Sequence, residues 1–228
     1  MSQSMCPVCG YAGHYVHADV LWTGLIEEWG LSSEEADYVN RQQGTYCPRC
    51  GCNLRCVALA MAIMNFYRWP QTFDQFAVTS QLKVLEINEC GALTRFLAAM
   101  PLRTLATYPS VDMRQMPYAD GTFDLVVHSD TLEHVPDPVL GLSECRRVLR
   151  PGGACAFTIP IIIGRLSRSR DGLPASYHDR EGTVDQGQRV RTEFGADAWT
   201  YAIRAGFANV QIVALDYPAA HALVCTPV

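Results

Sequence analysis

A repeated five-residue piece restricts this chain more than any other feature. Cys6-Pro7-Val8-Cys9-Gly10 returns as Cys47-Pro48-Arg49-Cys50-Gly51. Two thiols separated by two residues can grip one ion, and the glycine lets the backbone turn tightly behind the second cysteine. Two such knuckles supply four thiolates, a closed tetrahedral set that suits Zn²⁺, with iron the alternative for the same donors. Residues 6–9 and 47–50 must then meet in space, whatever lies between them. A closed four-sulfur site leaves no position for water, so Cys6, Cys9, Cys47 and Cys50 are expected to hold a structural ion. A redox role would need a βαβ setting that neither knuckle has. Cys52 and Cys56 are spare thiols nearby.

Between the knuckles, Leu21, Trp22, Leu25, Ile26 and Trp29 recur at helical spacing. Gly30 can end that helix, and Ser32 with Glu35 forms a capping-box pattern for the next. The spacing predicts a zinc ribbon with a helical insert over 1–60. Three arginines (Arg41, Arg49, Arg55) face six acids there, and the whole chain carries a net charge of −5. Phosphate binding depends on cations that displace counterions, so this balance argues against a nucleic-acid partner. No apolar run approaches the roughly 18 residues of a membrane span, and the first residues lack the basic and apolar regions of a leader. A cytoplasmic location without a membrane partner is the expectation. Six of ten cysteines lie within the first 56 residues, which in a reducing compartment reads as metal binding.

Residues 53–69 read as a helix apolar nearly all round, buried on several sides, that joins the modules across 61–80. From 81 onward strand and helix signals alternate. Strands are expected at 82–87, 102–107, 123–128 and 154–159, and helices at 93–100, 138–149 and 196–205. Two last strands are expected at 209–215 and 221–226. Such alternation predicts an α/β domain over 81–228, an open and largely parallel sheet with helices on both faces. Ligands of such sheets sit outside the carboxyl ends of the strands.

Three stretches then carry a resemblance. Residues 112–126, DMRQMPYADGTFDLV, together with Thr131-Leu132-Glu133-His134-Val135-Pro136-Asp137-Pro138 and Arg146-Arg147-Val148-Leu149-Arg150-Pro151-Gly152-Gly153, resemble, in order and spacing, motifs of class I S-adenosylmethionine-dependent methyltransferases. The likeness covers about residues 80–228. It implies a Rossmann-like sheet of seven strands ending in an antiparallel hairpin, S-adenosylmethionine as cofactor, and methyl transfer to an O or N nucleophile of a small-molecule or carbohydrate-like acceptor.

The pattern also breaks. The family's glycine-rich loop after the first strand is here Glu86-Ile87-Asn88-Glu89-Cys90-Gly91-Ala92. Asn tolerates positive φ and Ala is small, so the loop can still form. The resemblance implies that Glu86, Asn88, Glu89 and Gly91 meet the cofactor's methionine part. The second strand and its helix are shortened, and the acid that usually holds the ribose is missing. Tyr108 or Ser110 is its candidate replacement, Asp112 meets the adenine amino group, and Met113 lies beside the ring. Asp112 as a loop cap is the plainer reading. A working enzyme and a degenerate member that binds cofactor or a partner without catalysis both fit this edited loop. An RNA methyltransferase using the ribbon is the weaker third reading.

By position in this fold, His128, Ser129 and Asp130 at the end of the fourth strand are expected to face the reacting centre, although Ser129 and Asp130 also suit a capping role. His134 reads as structural. Residues 161–192 form a long polar segment after the fifth strand. Its Arg165, Arg168 and Arg170 suit an anionic acceptor or simply a solvated loop. Within it, His178 is the candidate general base, and Tyr177 is placed to orient a substrate hydroxyl.

Overall fold

A computed structural model of the chain describes residues 5–177 and 186–227. Both knuckles fold as tight turns. The Gly10 N–H donates to the Cys6 carbonyl at 2.9 Å and the Gly51 N–H to that of Cys47 at 2.7 Å. Their φ angles of +73° and +68° favour glycine. Strands β1 (Val16–His17) and β2 (Thr45–Tyr46) pair antiparallel and flank the insert. The insert is helical as predicted, as α1 (Thr23–Trp29) and α2 (Ser33–Gly44). Gly30 closes α1 in the left-handed conformation, and Ser32 and Glu35 form the expected capping box of α2.

Helix α3 (Leu54–Phe66) starts directly behind the second knuckle, with the Asn53 side chain accepting from the Cys56 N–H. Its apolar circumference packs against the central sheet, and it is buried from Leu54 to Ala60. Helix α4 (Phe73–Thr79) follows. The first N–H groups of a helix have no partner inside it; here those of Phe73 and Asp74 donate to the Pro7 and Val8 carbonyls at 2.9 and 3.0 Å. The first knuckle is thereby fixed to the main domain by its backbone.

The remaining elements are β3 (Val84–Ile87), α5 (Thr94–Leu97), β4 (Arg103–Ala106), β5 (Phe123–Ser129), α6 (Pro138–Val148), β6 (Leu149–Thr158), β7 (Ile161–Ile162), β8 (Arg168–Ser169), β9 (Thr192–Gly195), α7 (Trp199–Arg204), β10 (Asn209–Leu215) and β11 (Ala220–Thr226). The central sheet runs in the order β10-β11-β6-β5-β3-β4. Its four strands β3, β4, β5 and β6 are parallel, and β11 and β10 close it as the expected antiparallel hairpin. Among the described residues it has six strands rather than the seven expected. Only residues 107–122 separate β4 from β5, too few for a further strand with its own crossover, which takes about a dozen residues by itself. β7, β8 and β9 form a separate small sheet over the segment after β6.

Alternation along the strands divides the interior in two. Val84, Leu125, Val127, Ala154 and Ala156 face α3, whereas Leu85, Ile87, Val126, Cys155 and Phe157 face α6 and α7. No helix among the described residues is long and apolar enough to cross a membrane.

Arg165 ties the segment after β6 to the insert. It donates to both Glu35 carboxylate oxygens at 2.9 and 2.7 Å, and to the Trp29 and Gly30 carbonyls at 2.8 and 2.6 Å. Those carbonyls end α1, where a cation is favoured. Arg165→Ala is expected to lower unfolding free energy by about 1–3 kcal/mol, read as a shift of the urea midpoint at unchanged slope; an unchanged midpoint would make the link dispensable.

Candidate active site and cysteine cluster

Cys6, Cys9, Cys47 and Cys50 are all buried, and their sulfurs lie within 4.8 Å of one another. Cys6 Sγ and Cys50 Sγ stand 3.8 Å apart, as do Cys9 Sγ and Cys47 Sγ. Four buried, converging thiols at this spacing suit a tetrahedral ion such as zinc. Cys56 donates to the Cys90 carbonyl at 3.5 Å instead. The second knuckle also touches α5, because Arg95 Nη2 donates to the Cys50 carbonyl at 2.6 Å.

The loop after β3 runs through Asn88 to Gly91, with φ of +55° and +57°. Asn88 adopts the left-handed backbone that asparagine tolerates, and its side chain joins three strand ends. Its Oδ1 accepts from the Tyr108 N–H at 3.0 Å and its Nδ2 donates to Thr131 Oγ1 at 3.4 Å. Glu86 is fully buried and committed to holding the loop. It accepts from the Cys90 N–H (3.1 Å), Thr94 Oγ1 (2.6 Å) and Arg103 Nε and Nη2 (2.8 and 2.5 Å). Glu89 and Gly91 are exposed.

Over this loop stands Arg55, which the sequence reading passed over. Atoms of Arg55 and Cys56 lie 3.6 and 3.5 Å from where a Gly91 side chain would begin. Arg55 forms an ion pair with Asp130, and Asp130 also accepts from Gln43 Nε2 at 3.1 Å. Asp130 itself has φ of +44°, at the turn that leaves β5. Its Oδ1 and Arg55 Nε are buried without hydrogen-bond partners among the described residues. A cation and a carboxylate with spare capacity therefore meet beside an open left-handed loop, at the carboxyl ends of β3 and β5. The signal was legible: Arg55 is the one charged residue in thirteen otherwise uncharged positions of α3.

Other candidates are placed differently. His128 was expected at the reacting centre. It is fully buried on the α6 face of the sheet, stacked on Phe157 with ring centroids 4.7 Å apart, because it shares the pleat of Val126. Burial lowers its imidazole to about 3, and it is no base for a substrate on the other side. Ser129 is buried and bonded to Thr158 Oγ1 at 2.7 Å. Met113 is buried against Gly141 of α6. Asp112 is half-exposed and bound by the Arg114 backbone and guanidinium, which holds its carboxyl below the usual range. Tyr108 is exposed. Tyr177 bridges to Arg189 in the segment after β6. His178 lies outside the described residues. The three arginines expected to await an anion are engaged: Arg165 with Glu35, and Arg168 and Arg170 with Glu193.

Two adjoining cavities share Trp29 and Pro160, and one of them opens beside Asp130. One, of about 300 Å³, is lined by Arg55, Asp130 and His134. The other, of about 200 Å³, is walled by Trp29, Leu31, Ile162, Val190 and Phe194, with Glu133 among its lining residues. Burial raises the Glu133 carboxyl to about 7, against the pull of Arg55. A carboxyl titrating near neutrality can accept a proton at working pH.

Residues 89–157 match the family described as Methyltransferase domain. A probable S-adenosylmethionine-dependent methyltransferase of Mycolicibacterium smegmatis is 40% identical over 81 residues, 33% of this chain and 31% of the relative. The demethylmenaquinone methyltransferase of Mycolicibacterium vanbaalenii is 46% identical over 52 residues, 22% of this chain and 23% of that one. The solved 1,6-didemethyltoxoflavin-N1-methyltransferase of Burkholderia thailandensis aligns over 92% of both chains at 15% identity, with a TM-score of 0.42. The matched segment thus spans about a third of the length of the first of these relatives (31%).

Proposed function

We propose that this chain, which carries a methyltransferase domain over residues 89–157, transfers the methyl group of S-adenosylmethionine to an O or N atom of a small acceptor with an apolar body. The observation that carries the reading is the meeting of Arg55 and Asp130 at the Asn88–Gly91 turn. The methionine end of the cofactor is a zwitterion. Arg55 offers a fork for its carboxylate, and the partnerless Asp130 oxygen offers an acceptor for its ammonium group. Tyr108, two residues past the end of β4, and Asp112, in the loop that follows, are assigned to the ribose and adenine.

When bound, the cofactor supplies an already activated methyl on its sulfonium. The chain's own residues orient the acceptor, exclude water and receive a proton. Trp29, Leu31, Ile162 and Phe194 form an apolar wall for the acceptor. Glu133 takes the proton from the attacking O–H or N–H. This wall favours an apolar acceptor over the carbohydrate-like or anionic one read from the sequence, because the loop arginines are already neutralised. Titration calorimetry with S-adenosylmethionine tests the reading, and so does release of S-adenosylhomocysteine in the presence of small aromatic alcohols and amines. Absence of any binding heat would leave the non-catalytic alternative.

The four knuckle cysteines are proposed to hold Zn²⁺, with a positional role as well as a structural one. The Cys47–Cys50 turn begins the path that Asn53 converts into α3, and Arg55 sits in the first turn of that helix. Cys47→Ser is expected to remove one zinc equivalent by metal analysis, to lower the melting temperature, and to weaken S-adenosylmethionine binding together with it. Unchanged zinc content would overturn the ligand assignment.

A further inference from the structure

On the α6 face of the sheet, His128 is the polar side chain most deeply enclosed among apolar neighbours and thiols. His128 is 0% exposed, and neither ring nitrogen has a hydrogen-bond partner among the described residues. A buried imidazole with both nitrogens unsatisfied is costly, and buried polar groups are almost always partnered. What surrounds it is soft. Cys145, on the inner face of α6, and Cys155, on the neighbouring strand β6, are both fully buried, and their sulfurs and an imidazole nitrogen all lie within 4.8 Å of one another. Cys225 stands opposite Cys155 in the β11–β6 pairing, a further thiol on the same face.

We infer that His128, Cys145 and Cys155 form a second zinc site, separate from the four-cysteine cluster and buried between α6 and the sheet. Three features support it. First, imidazole and thiolate are the donors zinc prefers, and a tetrahedral ion with Zn–S of about 2.3 Å and Zn–N of about 2.0 Å holds its ligand atoms about 3.5–3.8 Å apart. The three atoms need to close by no more than about 1.3 Å to reach that spacing. Second, the charge balances. Binding releases the two thiol protons to solvent, and Zn²⁺ with two thiolates and a neutral imidazole sums to zero. A neutral centre is compatible with apolar neighbours such as Leu142 and Phe157, where a net charge would be expelled. Third, the ion would satisfy one of the two imidazole nitrogens that have no partner among the described residues. The site would pin β5, α6 and β6 together directly beneath the Ser129–Asp130 turn, holding that turn in register. It does not depend on the proposed methyl transfer.

The test is zinc per chain in the full-length protein, purified under reducing conditions without chelator, compared with His128→Leu. Leucine fills the same apolar space and should fold. Two equivalents are expected in the wild type and one in His128→Leu, with a lower melting temperature in the variant. Cobalt replacement should add a two-thiolate charge-transfer band that the variant loses. A wild type holding one equivalent would overturn the inference. So would a His128→Leu chain with unchanged zinc and a raised melting temperature, the behaviour of a merely orphaned histidine. Should His128→Leu fail to fold, Cys145→Ala gives the same reading of lost or retained metal.

Discussion

Replacing Arg55 with methionine is expected to weaken S-adenosylmethionine binding by about 10- to 100-fold. A charge-assisted hydrogen bond contributes about 1.5–3 kcal/mol, and about 1.4 kcal/mol is a factor of ten. Methionine keeps the unbranched stem that packs in the first turn of α3 and removes only the guanidinium. Arg55→Lys keeps the charge without the planar fork, so its affinity should fall between the two. The change also strips Asp130 of its cation. Asp130→Asn in the same chain separates the two effects: if Arg55 binds the cofactor itself, the double variant stays weak even though no buried carboxylate is left unpaired. An unchanged dissociation constant in Arg55→Met by calorimetry would remove Arg55 from the cofactor site.

The second large effect is expected at Glu133. Glu133→Gln should lower kcat by about 10²–10⁴-fold, the usual contribution of a positioned proton acceptor. It should leave S-adenosylmethionine affinity near that of the wild type. In the wild type, kcat should rise with pH through about 7, where the buried carboxyl ionises, and the glutamine variant should lose that inflection. Stability should move the opposite way. The folded-state carboxyl titrates above its ordinary range because burial penalises the charged form. Between its ordinary value and about 7 the folded chain therefore holds a proton that the unfolded chain has released. Stability then falls as pH rises through that window, by roughly 3–4 kcal/mol. Glu133→Gln removes this loss and should be at least as stable as the wild type at pH 8. Full turnover at pH 8 in Glu133→Gln would shift the base elsewhere, with His178 the next residue to replace.

Much of the fold could be read directly. The capping box at Ser32 and Glu35, the stop at Gly30, the Asp137-Pro138 helix start and the all-round apolar helix after Asn53 are signals carried by neighbouring residues. Each needs only local chemistry. The paired knuckles were equally plain, since their spacing is covalent. The missing seventh strand was half visible, as a shortened stretch between 107 and 122 whose consequence depended on sheet order.

The site was less legible, because its parts come from segments far apart in the chain. Arg55 stood out as one charge in an apolar helix, but nothing near it in sequence says that it lies over Gly91. His128 was misplaced because position along a strand was read without its pleat. Arg165, Arg168 and Arg170 looked available to an anion until Glu35 and Glu193 arrived from 130 and about 25 residues away. Glu133 could be named from its motif, yet its titration near neutrality is a property of the cover closed over it by other segments.

The amino-acid sequence by itself determined most of the central strands, the helix caps, the four converging cysteines and the motifs that resemble those of methyltransferases. These rest on spacing and propensity over a few residues. Only the tertiary structure decided which face each strand residue takes, which charges are already spent on one another, and which are left to meet a ligand. Burial and pairing are sums over segments far apart in the chain, and a residue's chemistry depends on that sum.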